Sequence, residues 1–326
     1  MEKLLSIAIP TFNRELKLKE ELECILPQLL KYKAEVEIVI SDNASPESDH
    51  TATMVEEMEK KYGIPINYNK LNAPIYFEDN FKEVVNRSNG KYIHMTGDDD
   101  LFAPDFYDVV FNLIEKEYGL IHFNRLEGDA DCSNTRVYDK IREKMVYSGS
   151  TAEIAKRVMR SPGFMTSLIF SRECWNAGER FEKDNYYGYH FLGRLYLGAM
   201  DLKKNSCYYY MPLIIARNNN HDWGKMFPLF YYVGYSNIFK DADTFAPGIY
   251  DSWIDFLHNK KRKSHMKRIV TILKDKDLYI EKYDEMMEYL SSSQKRAFRF
   301  LIHTRLPQKI VAPLYCRLVD IFYHNM

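Results

Sequence analysis

The 326-residue sequence lacks several features, and each absence argues against a class of protein. Its five cysteines are scattered with no C-x-x-C pair, which argues against a zinc site or a disulfide framework and fits a reducing compartment. No stretch of about 18 uncharged apolar residues occurs, so a membrane-spanning helix is not expected. The formal net charge of -1 argues against a general nucleic-acid binder, so nucleic acid is not an expected partner.

Two phosphate-binding motifs are also missing. No Gly-x-Gly-x-x-Gly follows the first apolar run, and no Gly-x-x-x-x-Gly-Lys occurs in the chain. A dinucleotide-binding fold and a P-loop are therefore disfavoured. The apolar run 4–9 is too short for a signal h-region and has no small-residue cleavage site. We interpret it as a strand and expect a cytoplasmic protein.

Apolar residues make up 46% of the chain and charged residues 28%, so a substantial packed core is expected. Three consecutive carboxylates, Asp98, Asp99 and Asp100, follow the apolar run 92–96 and form an acidic triplet. Adjacent carboxylates raise one another's pKa, and a hard cation such as Mg²⁺ or Mn²⁺ relieves their repulsion. A solvated acidic turn before the next helix accounts for the same residues, and the triplet alone leaves both interpretations open.

Apolar runs alternate with helical periodicity over the first 125 residues, which is typical of β–α units. The predicted strands cover 4–9, 36–40, 64–71, 91–96 and 120–124, and a sixth covers 163–170. The alternation predicts a parallel sheet that binds ligands beyond the carboxyl ends of its strands. Pro10, Thr11, Asp42 and the acidic triplet fall at such ends, so we expect them to converge on one rim. This shared position favours a metal site over an isolated turn.

Four motifs resemble those of the family 2 glycosyltransferases, in the same order and with similar spacing. They are LSIAIPTFNR at 5–14, EIVISDNAS at 37–45, the pair Asn72 and Asn80, and GKYIHMTGDDD at 90–100. The resemblance implies the α/β GT-A fold, a Rossmann-like nucleotide-binding mixed sheet flanked by helices. It implies a glycosyltransferase domain at 1–235, with a nucleotide-sugar half at 1–125 and an acceptor half at 126–235. Residues 236–326, where the likeness fades, are predicted to form a helical C-terminal extension.

The resemblance also implies roles for individual residues. Pro10 and Thr11 would line the base pocket, and Asp42 would hydrogen-bond the base or the ribose. Asp98 would face the ribose or the metal, and Asp100 would ligate Mn²⁺ or Mg²⁺. The other residues implied on the nucleotide-sugar side are Asn13, Asn72, Asn80 and Asp99.

A general base is expected near residue 184. The family has Glu and Asp in tandem there, whereas Lys183 separates Glu182 from Asp184 in this chain. Asp184 aligns best and is the first candidate. His190 has an intrinsic pKa closer to neutral and is the second candidate, although a histidine beside aromatic residues often serves packing instead. Glu182 is the third candidate.

The polar stretch 214–223 is a further candidate for the donor side. GT-A enzymes often bring a C-terminal loop over the diphosphate, and Arg217 or His221 would contact phosphate or metal there. We include His221 as a candidate metal ligand because a neutral imidazole can complete a metal shell. An Asn-rich surface loop is the alternative interpretation.

The C-terminal stretch 291–326 is basic and amphipathic. It has six basic residues and one acidic residue, which gives a net charge of +5, and apolar residues are interleaved with them. Peripheral contact with an anionic membrane, a homo-oligomer formed by a helical tail, and packing on the catalytic domain all explain this pattern.

These observations predict a metal-dependent glycosyltransferase. It would move a sugar from a nucleoside-diphosphate sugar, with a UDP-sugar as the family-level expectation, to a hydroxyl of a glycan or lipid-linked oligosaccharide. By analogy with the family, the expected role is bacterial capsule or other surface polysaccharide synthesis at the inner face of the cell membrane. A metal-dependent nucleotidyl or phosphoryl transferase and an inactive membrane-surface scaffold are the alternatives.

Overall fold

The computed structural model describes residues 3–46, 48–139, 144–217, 226–259 and 263–324. The chain divides into two compact units. The first consists of Met1–Phe181 and Arg194–Asn219, and the second of Glu182–Gly193 and Asn220–Met326. The expected functional division into 1–235 and 236–326 stays a prediction.

Strands among the described residues form one mixed sheet in the first unit. They are β1 (Lys3–Thr11), β2 (Val36–Asp42), β3 (Ile66–Lys70), β4 (Gly90–Met95), β5 (Leu101–Phe102), β6 (Leu120–Gly128), β7 (Arg136–Val137), β8 (Val146–Ser150), β9 (Leu168–Ser171) and β10 (Asn205–Arg217). Their order across the sheet is β3-β2-β1-β4-β9-β6-β10-β5, with β7 paired to β6 and β8 paired to β10.

The first four predicted strands are confirmed, and they pair in parallel in the order β3-β2-β1-β4. Beyond β4 the sheet is mixed, because β9 lies between β4 and β6 and is antiparallel to both. The predicted strand at 163–170 is shorter than expected, since Met165–Ser167 form a 3₁₀ turn before β9. That turn presents Thr166 to the acidic triplet.

Helices flank the sheet and make up the described part of the chain beyond β10. The α-helices are α1 (Glu15–Leu29), α2 (Ser48–Tyr62), α3 (Phe77–Arg87), α4 (Phe106–Ile114), α5 (Thr151–Val158), α6 (Arg172–Ala177), α7 (His190–Asp201), α8 (Tyr235–Ala242), α9 (Ile249–His258), α10 (Lys263–Ile269), α11 (Lys276–Glu281), α12 (Tyr283–Tyr289), α13 (Ser292–His303) and α14 (Gln308–His324). The predicted helical C-terminal part is therefore confirmed. No helix in the described ranges combines the length and apolarity needed to cross a membrane.

The main core lies between the sheet and α1, α2 and α4. The predicted apolar stripe of α1 is fully buried, which confirms its helical spacing; its members are Leu18, Leu22, Ile25, Leu26 and Leu29. At the amino ends of the central strands, Glu37 Oε1 accepts hydrogen bonds from Ser6 Oγ at 2.7 Å and from the Asn89 N–H at 2.5 Å. Ser6 Oγ in turn accepts from the Gly90 N–H at 2.8 Å, so β1, β2 and β4 are tied together where they begin.

Candidate functional site: an acidic rim at the ends of parallel strands

The acidic triplet lies directly beyond β4, as the sequence predicts. Thr96 extends the strand pairing by one residue, because its N–H donates to Ala8 O at 3.1 Å. The chain then turns at Gly97, whose N–H donates to Thr166 Oγ1 at 3.1 Å. All three aspartates that follow are buried, with at most 8% of each residue exposed. Burial of three adjacent carboxyl groups is costly, so their partners decide what this place can bind.

Asp98 connects the ends of the central strands. Its Oδ2 accepts a hydrogen bond from Thr11 Oγ1 at 2.7 Å, and Thr11 lies opposite Asp42 in the register of β1 and β2. Its Oδ1 accepts from Arg14 at 2.8 Å, and the same guanidinium nitrogen lies 3.1 Å from Asp99 Oδ2. Burial raises the pKa of Asp98, although Arg14 and Thr11 oppose that shift. The strand ends therefore converge as the sequence predicts.

Asp100 is held by partners that come from distant parts of the chain. Thr166 Oγ1 donates to its Oδ2, and the backbone N–H of Arg217, the last residue of β10, donates to its Oδ1 at 3.1 Å. Burial, and then the charge of Asp99, raises the pKa of Asp100 to about 7. Near neutral pH this carboxyl group is therefore divided between its protonated and ionised forms.

A fourth acid, Glu21 on α1, lies fully buried beside the triplet. Its Oε1 accepts from Thr96 Oγ1 at 2.9 Å, and its Oε2 has no hydrogen-bond partner within the described part of the chain. Burial raises the pKa of Glu21 well above its usual value, and the charges of the triplet add to the shift. Glu21 was not among the predicted site residues. The available signal was an acid three residues after Leu18 and four before Ile25, inside the buried stripe.

Asp42 closes the turn after β2. Its Oδ1 accepts from the Ser45 N–H, three residues further on, at 2.8 Å, and its Oδ2 accepts from Tyr68 Oη at 2.6 Å. Beside it, Ser41 Oγ donates to Asn80 Oδ1 at 2.6 Å, and Asn80 Nδ2 donates to Ser41 O at 3.2 Å. Each carboxylate oxygen has a second lone pair, so the fixed Asp42 can still accept a hydrogen bond from a ligand.

The other residues expected on the donor side occupy different settings. Pro10 is buried in β1 opposite Ser41. Asn13 is exposed with a φ of 54°, a left-handed conformation that asparagine tolerates better than most residues, and its N–H donates to Ser45 Oγ at 2.7 Å. Asn72 is exposed after β3. Arg14 lies in the first family motif, but no role was predicted for it. No sequence pattern indicated Thr166 or Tyr68 as site residues.

The three candidate bases belong to the second unit. Asp184 is exposed and begins a 3₁₀ turn (Asp184–Tyr186), Glu182 is half-buried, and His190 is half-buried at the start of α7. The turn is anchored because Lys183, which interrupts the family's acidic pair, donates to Asp241 Oδ2 at 2.7 Å. All three stay predicted candidates for the base.

The donor set at the rim fits a hard divalent cation. Asp98, Asp99, Asp100 and Glu21 bring four carboxyl groups together at the rim, where Arg14 pairs with Asp98 and Asp99. Burial raises the pKa of Asp98, Asp100 and Glu21. No group of three or more such side chains is spaced to hold a metal among the described residues. Mg²⁺ and Mn²⁺ commonly take only one or two protein carboxylates and complete their shell with water and phosphate oxygens. A rim that offers carboxylates but no complete set of protein ligands therefore suits either ion. The expected ligand His221 lies outside the described residues.

A mixed sheet whose parallel strands end in a buried acidic triplet is the arrangement of a GT-A glycosyltransferase. The family described as Glycosyl transferase family 2 matches residues 6–172, and the chain belongs to that family. Abequosyltransferase RfbV of Salmonella typhimurium is similar, at 26% identity over 239 residues, which cover 68% of this chain and 69% of that protein.

Solved structures show the same fold at low sequence identity. S. aureus TarS 1-349 in complex with UDP-GlcNAc matches with a TM-score of 0.61 and 13% identity, over 98% of this chain and 89% of that one. The mannosyltransferase PcManGT from Pyrobaculum calidifontis, in complex with GDP-Man and Mn²⁺, matches with a TM-score of 0.54 and 12% identity, over 99% and 87%. The family match confirms the predicted family and enzyme class, and the solved structures confirm the predicted fold.

Proposed function

We propose that this chain transfers a sugar from a nucleoside-diphosphate sugar, expected to be a UDP-sugar, to a hydroxyl of a glycan or lipid-linked oligosaccharide. The setting would be bacterial surface polysaccharide synthesis, such as capsule or O-antigen assembly, in the cytoplasm at the inner face of the cell membrane. The observation that carries the proposal is the hydrogen bond from Thr11 to Asp98 beside Asp42, which gathers three polar strand ends into one rim. The abequosyl activity of a relative and the nucleotide sugars bound by two neighbours support it.

On the donor side, the chain's own residues supply orientation. Asp42, fixed by Ser45 and Tyr68, accepts a hydrogen bond from the base or ribose. Asp98, fixed by Thr11 and Arg14, accepts one from the ribose. Side chains already held by hydrogen bonds lose little conformational entropy when the donor binds, which favours binding.

We propose that Asp98 and Asp100 hold Mn²⁺ or Mg²⁺, with His221 as a further ligand. When bound, the ion supplies stabilisation of negative charge on the departing nucleoside diphosphate. Asp100 must be ionised to ligate the ion, and its pKa of about 7 places that ionised form within reach near neutral pH.

On the acceptor side, we propose Asp184 as the general base. It would take the proton of the acceptor hydroxyl as that oxygen forms a bond to the anomeric carbon and the bond to the diphosphate oxygen breaks. This single displacement inverts the anomeric carbon. His190 and Glu182 are the alternative bases. Asp184→Asn, His190→Gln and Glu182→Gln, tested one at a time, identify the residue whose loss abolishes transfer.

Thermal-shift measurements against nucleotide sugars with different bases, with and without Mn²⁺, test the donor side. We expect a metal-dependent rise in melting temperature for the true donor, which Asp98→Asn should abolish. The matched control Asp255→Asn changes an exposed carboxyl group on α9 and should keep the rise. Turnover should release a nucleoside diphosphate. Release of pyrophosphate would instead establish a nucleotidyl transferase, and the absence of any shift would indicate an inactive scaffold.

A further inference from the structure

Helix α14 is packed on one side only. Val311, Tyr315 and Val319 are buried, with 3%, 9% and 5% of each residue exposed. Tyr315 Oη donates to Met266 O at 3.0 Å, and Lys267 pairs with Asp320 at 2.7 Å. These contacts fix which face of α14 is turned inward and therefore which face is presented to solvent.

The outward face is apolar as well. An apolar stripe of large residues begins at Leu306, just before α14, and continues along the helix at Ile310, Leu314, Leu318 and Ile321. The successive spacings are four, four, four and three residues. Each of these residues is 45–55% exposed, and Phe300 on the preceding helix α13 is 59% exposed. Single exposed apolar residues are normal, but a continuous row of large ones marks an interaction surface.

The exposed charged residues of α13, α14 and the segment that joins them are of one sign. Within 292–321 five basic residues are exposed: Arg296, Arg299, Arg305, Lys309 and Arg317. The one acidic residue of that range is Asp320, whose carboxylate forms the ion pair with Lys267. An apolar row flanked by cations matches a surface that is apolar inside and anionic outside, which is the interface of a membrane with acidic lipids.

We propose that the α13–α14 face, defined by the apolar stripe, Phe300 and the five basic residues, docks on an anionic lipid bilayer. The helices would lie in the plane of the headgroups, with the leucine and isoleucine side chains in the acyl boundary and the cations beside lipid phosphates. Self-association through the same face is disfavoured, because a symmetric contact would place the basic residues of one copy against those of the other. The proposal does not depend on the proposed sugar transfer.

Vesicle flotation with the full chain tests the proposal. We expect binding to phosphatidylcholine vesicles that contain phosphatidylglycerol, no binding to pure phosphatidylcholine vesicles, and weaker binding as salt is raised.

Charge variants provide the quantitative test. Each basic residue near an anionic surface contributes a factor of about five to the partition coefficient. Arg305→Gln, Lys309→Gln and Arg317→Gln together should therefore lower binding on the order of 100-fold. The matched control replaces three exposed lysines of the first unit, Lys33, Lys60 and Lys70, by glutamine. It lowers the net charge equally and should bind nearly as the parent does.

Apolar variants separate docking from simple charge attraction. Leu314→Ser with Leu318→Ser should lower binding at least 10-fold at every salt concentration, since each buried apolar side chain contributes about that factor. Leu30→Ser with Val137→Ser, at positions 47% and 42% exposed, is the control and should bind as the parent does.

The proposal is overturned if the parent chain does not bind anionic vesicles, or if the charge and apolar variants bind them as well as their controls do. A dimer in sedimentation velocity that dissociates on Leu314→Ser with Leu318→Ser would assign the face to a second copy. Activity measured on a soluble acceptor should be unchanged in all these variants, which distinguishes failure of docking from failure of the catalytic assignment.

Discussion

Replacing the buried carboxyl group of Asp100 by an amide should make the protein more stable at neutral pH while removing function. Burial raises the pKa of Asp100 from 3.8 to about 7, so the folded state holds the proton more tightly than the unfolded chain does. For an acid of this kind, folding stability is lost as pH rises from the unfolded value towards the folded one. Asparagine has the same shape and carries no charge, so it should escape this loss.

The magnitude follows from the two pKa values. Above pH 7 the ionised carboxyl group destabilises the folded state by up to about 4 kcal/mol, because each pKa unit corresponds to about 1.4 kcal/mol. The amide of asparagine can accept from the Arg217 N–H and donate to Thr166 Oγ1, at a cost of about 1 kcal/mol for the poorer hydrogen bonds. We therefore expect Asp100→Asn to be more stable than the parent by roughly 3 kcal/mol at about pH 8.

Between about pH 5 and about pH 8, the difference in unfolding free energy between Asp100→Asn and the parent should grow by roughly 2–3 kcal/mol in favour of the variant. Urea unfolding followed by circular dichroism at the two pH values, in EDTA and without nucleotide, measures it. Asp255→Asn, at an exposed site, reports what the substitution does by itself. An advantage that does not change with pH, or a variant less stable than the parent at the higher pH, would refute the electrostatic reasoning. Metal-dependent donor binding should be lost in the same variant.

Three further predictions concern the residues around the rim and beneath it. Thr11→Val removes the 2.7 Å hydrogen bond to Asp98 and should weaken donor binding about 5- to 10-fold in calorimetry, whereas Thr11→Ser should keep the affinity of the parent. If Thr11→Val binds the donor as tightly as the parent does, Thr11 has no role in donor binding. Gly90→Ala would place a Cβ 2.5 Å from the Ser6 backbone nitrogen and should destabilise the fold by about 2 kcal/mol or more in urea; an unchanged midpoint would contradict the close approach. Burial lowers the pKa of His94 to about 4, so the unfolded chain takes up the proton first and stability should fall as pH drops below 6.5. His94→Gln should flatten that part of the stability profile, and an unchanged slope would show that other groups cause it.

The features predicted from sequence were those that depend on local pattern. The apolar spacing of α1 fixes which face is buried, and short apolar runs define β1, β2 and β4 whatever their neighbours. Since parallel strands present their carboxyl ends at one edge, the meeting of Thr11, Asp42 and Asp98 followed from topology alone.

The features missed depend on pairing between distant segments. Thr166 reaches Asp100 across 66 positions of sequence, and Arg217 reaches it across 117. The Thr166 contact requires β9 to enter the sheet antiparallel beside β4, and the Arg217 contact requires β10 to pair with β5 directly after the triplet. No local pattern in the sequence indicates either pairing.

Glu21 is a residue from which the position of the rim could have been predicted in the sequence. Its neighbours on the helical stripe, Leu18, Leu22 and Ile25, are fully buried, so an acid among them conflicts with the local pattern. Such a conflict is destabilising unless a partner compensates for it, and it is expected mainly where function requires it. The partner here is Thr96, two residues before the triplet. An acid that breaks an apolar stripe on the first helix therefore points to the same rim as the triplet does, from an independent part of the sequence.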